Sequence, residues 1–171
     1  SCSMSEPITK PRISAAAKIV LALAAAAVLL AVFAQAAPGS GLFFPLVSLW
    51  CNLALFACAL LVLRVAGIKF DLFHKAVLVG LWAAALVYFF WALNRRSFVY
   101  IWDYVNYINK QYSAEAAFLQ SPAAGFHYIF GSLAEDYTNF ITLFLDFPFC
   151  LSSHTGDSFA FCQVFSILPM L

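Results

Sequence analysis

The chain has 171 residues, of which 64% are hydrophobic and 10% charged, and its formal net charge is +1. A water-soluble domain carries roughly 25% charged residues, so the composition, with a mean hydropathy of +0.90, excludes an ordinary soluble enzyme. The near-neutral charge leaves no basic surface to neutralise a phosphate backbone, which excludes nucleic acid as the main ligand.

Charge is also unevenly spread. Asp, Glu, Lys and Arg are absent between Lys18 and Arg64, and again between Lys75 and Arg95. A helix needs about 20 apolar residues to cross a hydrocarbon core of ~30 Å, so the first run predicts two crossings and the second predicts one. The fold class expected is all-α, with polytopic membrane helices and interfacial amphipathic helices in an extracytoplasmic loop.

Residues 1–15 are polar, contain Pro7 and Pro11, and predict a cytoplasmic tail. Three transmembrane helices are expected within residues 16–96. The first apolar segment, Ile19 to Ala37, closes at the breaker cluster Pro38-Gly39-Ser40-Gly41; the second runs from Leu42 to about Leu63 and the third from Ala76 to Leu93. Cations concentrate on the cytoplasmic side of short loops. Lys10, Arg12 and Lys18 therefore place the N-terminus inside, and Arg64, Lys69 and Lys75 do the same for the second loop. Arg95 and Arg96 dissent, as snorkelling side chains. Another reading of the start is a signal peptide, with Ala34-Gln35-Ala36 as its cleavage site.

Residues 97–158 differ in kind. They hold six of the seven Tyr and four of the five Asp, interleaved with Phe and Trp102, which suits helices lying at an extracytoplasmic interface. One helix is expected from about Ser97 to Gln120. Ser121-Pro122 then restarts the chain as N-cap and first helical residue. Ser132-Leu-Ala-Glu135 has the pattern of a capping box, predicting a helix to about Asp146, before Pro148. Residues 159–171 predict the start of a fourth transmembrane helix. Because the chain opens Ser-Cys-Ser-Met and stops inside this apolar stretch, an N-terminal fragment is expected.

Asp103 is the principal candidate for chemistry. On a helix, Asp103, Tyr107 and Lys110 share one face at i, i+4 and i+7. An acid at that depth accepts a proton from a hydroxyl on the aqueous side, and Lys110 meets a lipid phosphate; otherwise Asp103 only solvates the helix and Lys110 snorkels. In the second acidic cluster, capping accounts for Glu135 and leaves Asp136 and Asn139 to be explained. There the alternatives are a substrate or metal contact and a first-turn acid favoured by the helix dipole. His-x-x-x-His, Cys-x-x-Cys and phosphate-binding Gly motifs do not occur, which argues against a zinc hydrolase and an ATP-driven transporter. Cys51 and Cys58 read as packing residues, and Cys150 and Cys162 as a possible disulfide.

The run Trp102-Asp-Tyr-Val-Asn-Tyr-Ile-Asn-Lys110, with Glu135-Asp-Tyr-Thr-Asn139, the aromatic stretch 140–149 and Gly156-Asp-Ser-Phe159, resembles bacterial multi-spanning glycosyltransferases of the GT-C type. The similarity covers residues 97–171. It implies a sugar donor carried on a polyprenyl phosphate, a saccharide, lipid or protein acceptor of the cell envelope, and a place in the bacterial plasma membrane. By this resemblance Asp103 is the catalytic base in an inverting displacement. Tyr104, Tyr107, Lys110, Asp136 and Asn139 fall at substrate-binding positions, and a divalent metal is a possible cofactor. The family usually places its acidic loop after the first spanning helix, whereas here that loop follows the third. The competing expectation is a non-enzymatic assembly or transport subunit, with a channel or exporter half ranked behind it.

Overall fold

The structure, a computed structural model, describes residues 14–68, 71–95, 102–135, 138–152 and 162. Among these, every regular element is helical and none is a strand: α1 (Ala15–Ala36), α2 (Phe43–Val65), α3 (Leu72–Arg95), α4 (Trp102–Gln120), α5 (Pro122–Gly131), a 3-10 turn (Asn139–Ile141) and α6 (Thr142–Cys150). The tail before residue 14, the expected helix start at 97–101 and the final apolar segment apart from Cys162 lie outside the described residues.

α1 opens on Ser14, whose hydroxyl accepts from the Ala17 amide. It runs 22 residues, about 33 Å at 1.5 Å per residue. α1 and α2 are both long and apolar enough to cross a membrane, with mean hydropathies of 2.6 and 2.4. α1 buries none of its residues within the chain. The turn between the two helices needs glycine at position 39: its φ is +78°, and a Cβ there would stand 2.9 Å from the Leu119 carbonyl of α4. Trp50 ties the pair together, its indole N–H donating to the Leu23 carbonyl at 3.0 Å.

Asp71 opens α3. Its carboxylate accepts from the His74 amide at 2.9 Å and meets the His74 ring at 2.6 Å, and these contacts hold it below the usual carboxylate range. The described side chains of α3 are mostly exposed. Its apolar stretch within the described residues, Leu72–Tyr88, is shorter than those of α1 and α2.

The remaining helices build a cap on the first half of α2. α6 lies antiparallel along it, because Phe147 meets Ser48 while Phe144 meets Asn52. Phe44 of α2 stacks on Phe118 of α4 at 4.2 Å between ring centroids, and Phe118 meets Phe126 of α5 edge-on at 5.2 Å. With Phe43, Val47, Ala114, Ile129 and Leu143 these rings form the core. α5 closes on α4 through Gly125, where a Cβ would stand 2.3 Å from the Phe118 ring. Ser121 caps α5 as its sequence predicts, accepting from the Ala124 amide at 3.1 Å, with Pro122 behind it.

The capping box is a correction. Ser132 begins no helix, and residues 132–135 form a turn. Its hydroxyl donates to the Ile129 carbonyl at 2.7 Å and accepts from the Asn139 amide at 2.7 Å, so it staples the end of α5 to the start of the next element. Thr138 is the cap in its place, accepting from the Phe140 amide. Pro148 also fails to end the helix, because α6 carries it internally and continues to Cys150. The reason is tertiary. Proline removes the N–H that would bond the Phe144 carbonyl, and the Asn52 side chain supplies one at 2.9 Å. Ser48, fully buried, accepts from the Phe147 amide at 2.9 Å.

Candidate functional site

Helix α4, part of the cap, carries Asp103, Tyr104, Tyr107 and Lys110 of the predicted site. Asp103 and Tyr104 lie in its first turn, where the side chains fall outside the described part, as does all of Asp136. Asp103 sits one turn before Tyr107, which packs half-buried against the cluster of Leu145, Phe149 and Cys162. Two turns on, Lys110 directs its Nζ to Glu135 Oε2 at 3.9 Å, with the Lys side chain 15% exposed and that of Glu135 62%. Released from the capping role, Glu135 thus links the Trp102–Lys110 motif to the 135–139 motif.

Asn139 is 4% exposed. Its side-chain amide donates to the Tyr128 carbonyl at 3.2 Å, so it clamps α5 to the 3-10 turn. Its Oδ1 is buried without a hydrogen-bond partner among the described residues. The structure joins Lys110 to Glu135, whereas Tyr107 packs against the cluster of Leu145, Phe149 and Cys162 and Asn139 serves as a structural clamp between α5 and the 3-10 turn.

A second constellation was not legible in the sequence. Asp146 of α6 is 1% exposed and receives the Gln111 amide at 2.7 Å. It also shares a side-chain hydrogen bond with Glu115, and its pKa is pushed up to about 8, first by burial and then by the neighbouring Glu115 charge. Two carboxyl groups in such contact hold one proton between them near neutral pH. Apart from the bond shared with Glu115, no donor among the described residues reaches the buried Asp146 Oδ2 or Gln111 Oε1.

Glu115 and Asp146 line a cavity of about 230 Å³. Ser40 and Gly41 of the α1–α2 turn form one wall and Phe44, Phe118 and Leu119 the apolar remainder, with Cys150 beside the acids. The Cys150 thiol donates to the Phe147 carbonyl at 2.9 Å. Burial, with Asp146 and Glu115 nearby, raises its pKa, so it is not an activated nucleophile. Cys162 is buried, and both are free thiols rather than the disulfide the sequence left open. Among the described residues no group of three or more His, Cys, Asp or Glu is placed to hold a metal ion. The sequence signal for the acid pair was faint: Gln111 and Glu115 stand one turn apart on α4, and Asp146 lies in an otherwise apolar helix.

No protein-family model matches the chain, and no curated protein or solved structure matches it either. Among the described residues the fold and site define an all-helical protein with two helices long and apolar enough to cross a membrane, and with a packed helical cap over the first half of the second.

Proposed function

We propose that this chain is the N-terminal part of an integral membrane glycosyltransferase, with Asp103 as its catalytic base. α1 and α2 cross the bilayer, α3 crosses a third time through the apolar run ending before Arg95, and the α4–α6 cap faces the extracytoplasmic side of a bacterial plasma membrane. The exposed apolar side chains of α1, among them Leu21, Val28 and Leu29, need lipid to cover them. The donor is a sugar on a polyprenyl phosphate that arrives from the lipid side, and the acceptor is an envelope saccharide, lipid or protein.

The observation that carries the reading is the Lys110–Glu135 ion pair at 3.9 Å. It brings together two motifs that are far apart in sequence and that the proposed site must join. In the reaction Asp103 takes the acceptor hydroxyl proton as that oxygen attacks the anomeric carbon, and the lipid phosphate leaves as a stable anion. No strong acid is needed, so positioning accounts for most of the catalysis. Tyr104, Tyr107, Asp136 and Asn139 orient the sugars, and Lys110, whose partner Glu135 is mostly exposed, neutralises the leaving phosphate. A divalent metal at Asp136 is compatible with the proposal and not required by it.

The test is sugar transfer in membranes carrying the intact protein, followed with a radiolabelled polyprenyl-phosphate sugar. Asp103→Asn is expected to lower transfer by about a hundredfold or more, as loss of a general base does, with membrane insertion and abundance unchanged. Transfer equal to wild type refutes the assignment. The mostly exposed α3 favours one other reading, a non-enzymatic subunit whose partner packs on that helix; Asp103→Asn is silent in that case, while apolar-to-charged changes on α3 disrupt a complex.

A further inference from the structure

The cavity at the acid pair holds buried acceptors for which the described residues supply too few donors. Its floor is two carboxyl groups that share a hydrogen bond, Glu115 and Asp146. Asp146 is 1% exposed, and apart from the hydrogen bond it shares with Glu115 its Oδ2 is reached by no donor among the described residues. Gln111, fully buried, spends its amide on the other Asp146 oxygen and leaves its own Oε1 in the same condition. Buried acceptors are costly unless a donor reaches them. Among the described residues no Lys or Arg lines the space; the walls beside the acids are aromatic, aliphatic or the small residues Ser40, Gly41 and Cys150.

The geometry points to this cavity as a binding site for a primary ammonium group on a short carbon chain, seated between Glu115 and Asp146. An ammonium carries three N–H donors and no acceptor, which suits a pocket with acceptors to spare. A single positive charge balances a carboxyl pair that keeps one proton. The volume of about 230 Å³ admits several heavy atoms, a water occupying about 30 Å³ in the liquid. Phe44, Phe118 and Leu119 cover the methylenes. The wall at Ser40 and Gly41 lies where the two apolar helices turn, at the level of lipid headgroups if they span. The ammonium therefore arrives on an ethanolamine headgroup or on a free amine, and the site is independent of any role of Asp103.

The test uses the full chain in phosphatidylcholine nanodiscs, with thermal unfolding followed by tryptophan fluorescence. Ethanolamine is expected to raise the midpoint saturably, and choline, which has no N–H on its nitrogen, is expected not to. Asp146→Asn should weaken the apparent Kd by about tenfold or more, the loss of one charge-assisted hydrogen bond. If replacing part of the lipid with phosphatidylethanolamine raises the midpoint of wild type but not of Asp146→Asn, and blunts the response to ethanolamine, the occupant is the headgroup. If only the soluble amine acts, the occupant is a free amine. Equal effects of choline and ethanolamine, or no effect of either amine source, overturn the proposal and leave the cavity to water. Should Asp146→Asn not fold, Glu115→Gln takes its place, and the difference between ethanolamine and choline on wild type decides.

Discussion

Asn52 donates its side-chain amide to the Phe144 carbonyl at 2.9 Å, and Phe144 is the residue whose carbonyl Pro148 cannot serve. A polar residue inside a candidate membrane span and a proline inside a short helix are each unfavourable alone. Together they form one docking joint, completed by the second Asn52 N–H on the Ser48 carbonyl and by the Ser48 hydroxyl under the Phe147 amide.

This joint sets a double-mutant expectation. Asn52→Ala removes the side-chain donor that reaches the Phe144 carbonyl and should cost about 1–3 kcal/mol. Pro148→Ala restores an N–H within the helix, so in that background Asn52→Ala should cost clearly less. Unfolding of the four proteins in a mixed-micelle titration yields the coupling, and additive costs would show that the two residues do not share the carbonyl.

Gly125 is fixed by contact, not by its backbone angles. Gly125→Ala places a methyl group 2.3 Å from the Phe118 ring, and overpacking of this kind costs about 1–3 kcal/mol. Phe118→Leu should recover part of that loss by opening the space. A Gly125→Ala protein as stable as wild type in the same titration would mean that α5 does not press on α4 as described.

Lys110 separates stability from activity. Its pairing with Glu135 at 3.9 Å involves a mostly exposed carboxylate, and such pairs contribute about 0–1 kcal/mol. Glu135→Gln and Lys110→Met should therefore leave unfolding nearly unchanged. In the sugar-transfer assay Glu135→Gln should stay within severalfold of wild type, while Lys110→Met falls by about tenfold or more through lost phosphate contact. Equal losses from the two would assign Lys110 to the ion pair alone.

Asp146 predicts a pH dependence of definite sign. Its folded pKa is raised to about 8, above an unfolded value of about 3.9, so the folded state holds a proton that the unfolded state has released between those values. Stability is therefore greatest at the acid end and falls as pH rises from about 4 to about 8, by at most about 1.4 kcal/mol per pH unit from this group. Glu115 and Cys150 face the same carboxyl. The midpoint of unfolding in the same mixed-micelle titration should therefore be higher at pH 5 than at pH 8, and Asp146→Asn should flatten that difference. A higher midpoint at pH 8, lost in Asp146→Asn, would reverse the sign and refute the buried neutral acid.

Hydrophobic runs by themselves determined α1, α2 and α3, because an uninterrupted apolar stretch of that length has few other ways to satisfy its backbone. Local chemistry likewise determined the Ser121-Pro122 start of α5, since cap and first residue are neighbours in the chain. The turn at Ser132 was decided elsewhere: its hydroxyl had an equally local role open to it, and the Asn139 amide took it. Pro148 reads as a terminator only while Asn52 is out of reach. The acid pocket depended most on tertiary structure. Gln111 and Asp146 are 35 residues apart, and a carboxyl group becomes a buried, proton-sharing group only when packing removes its water, which no spacing along the chain encodes.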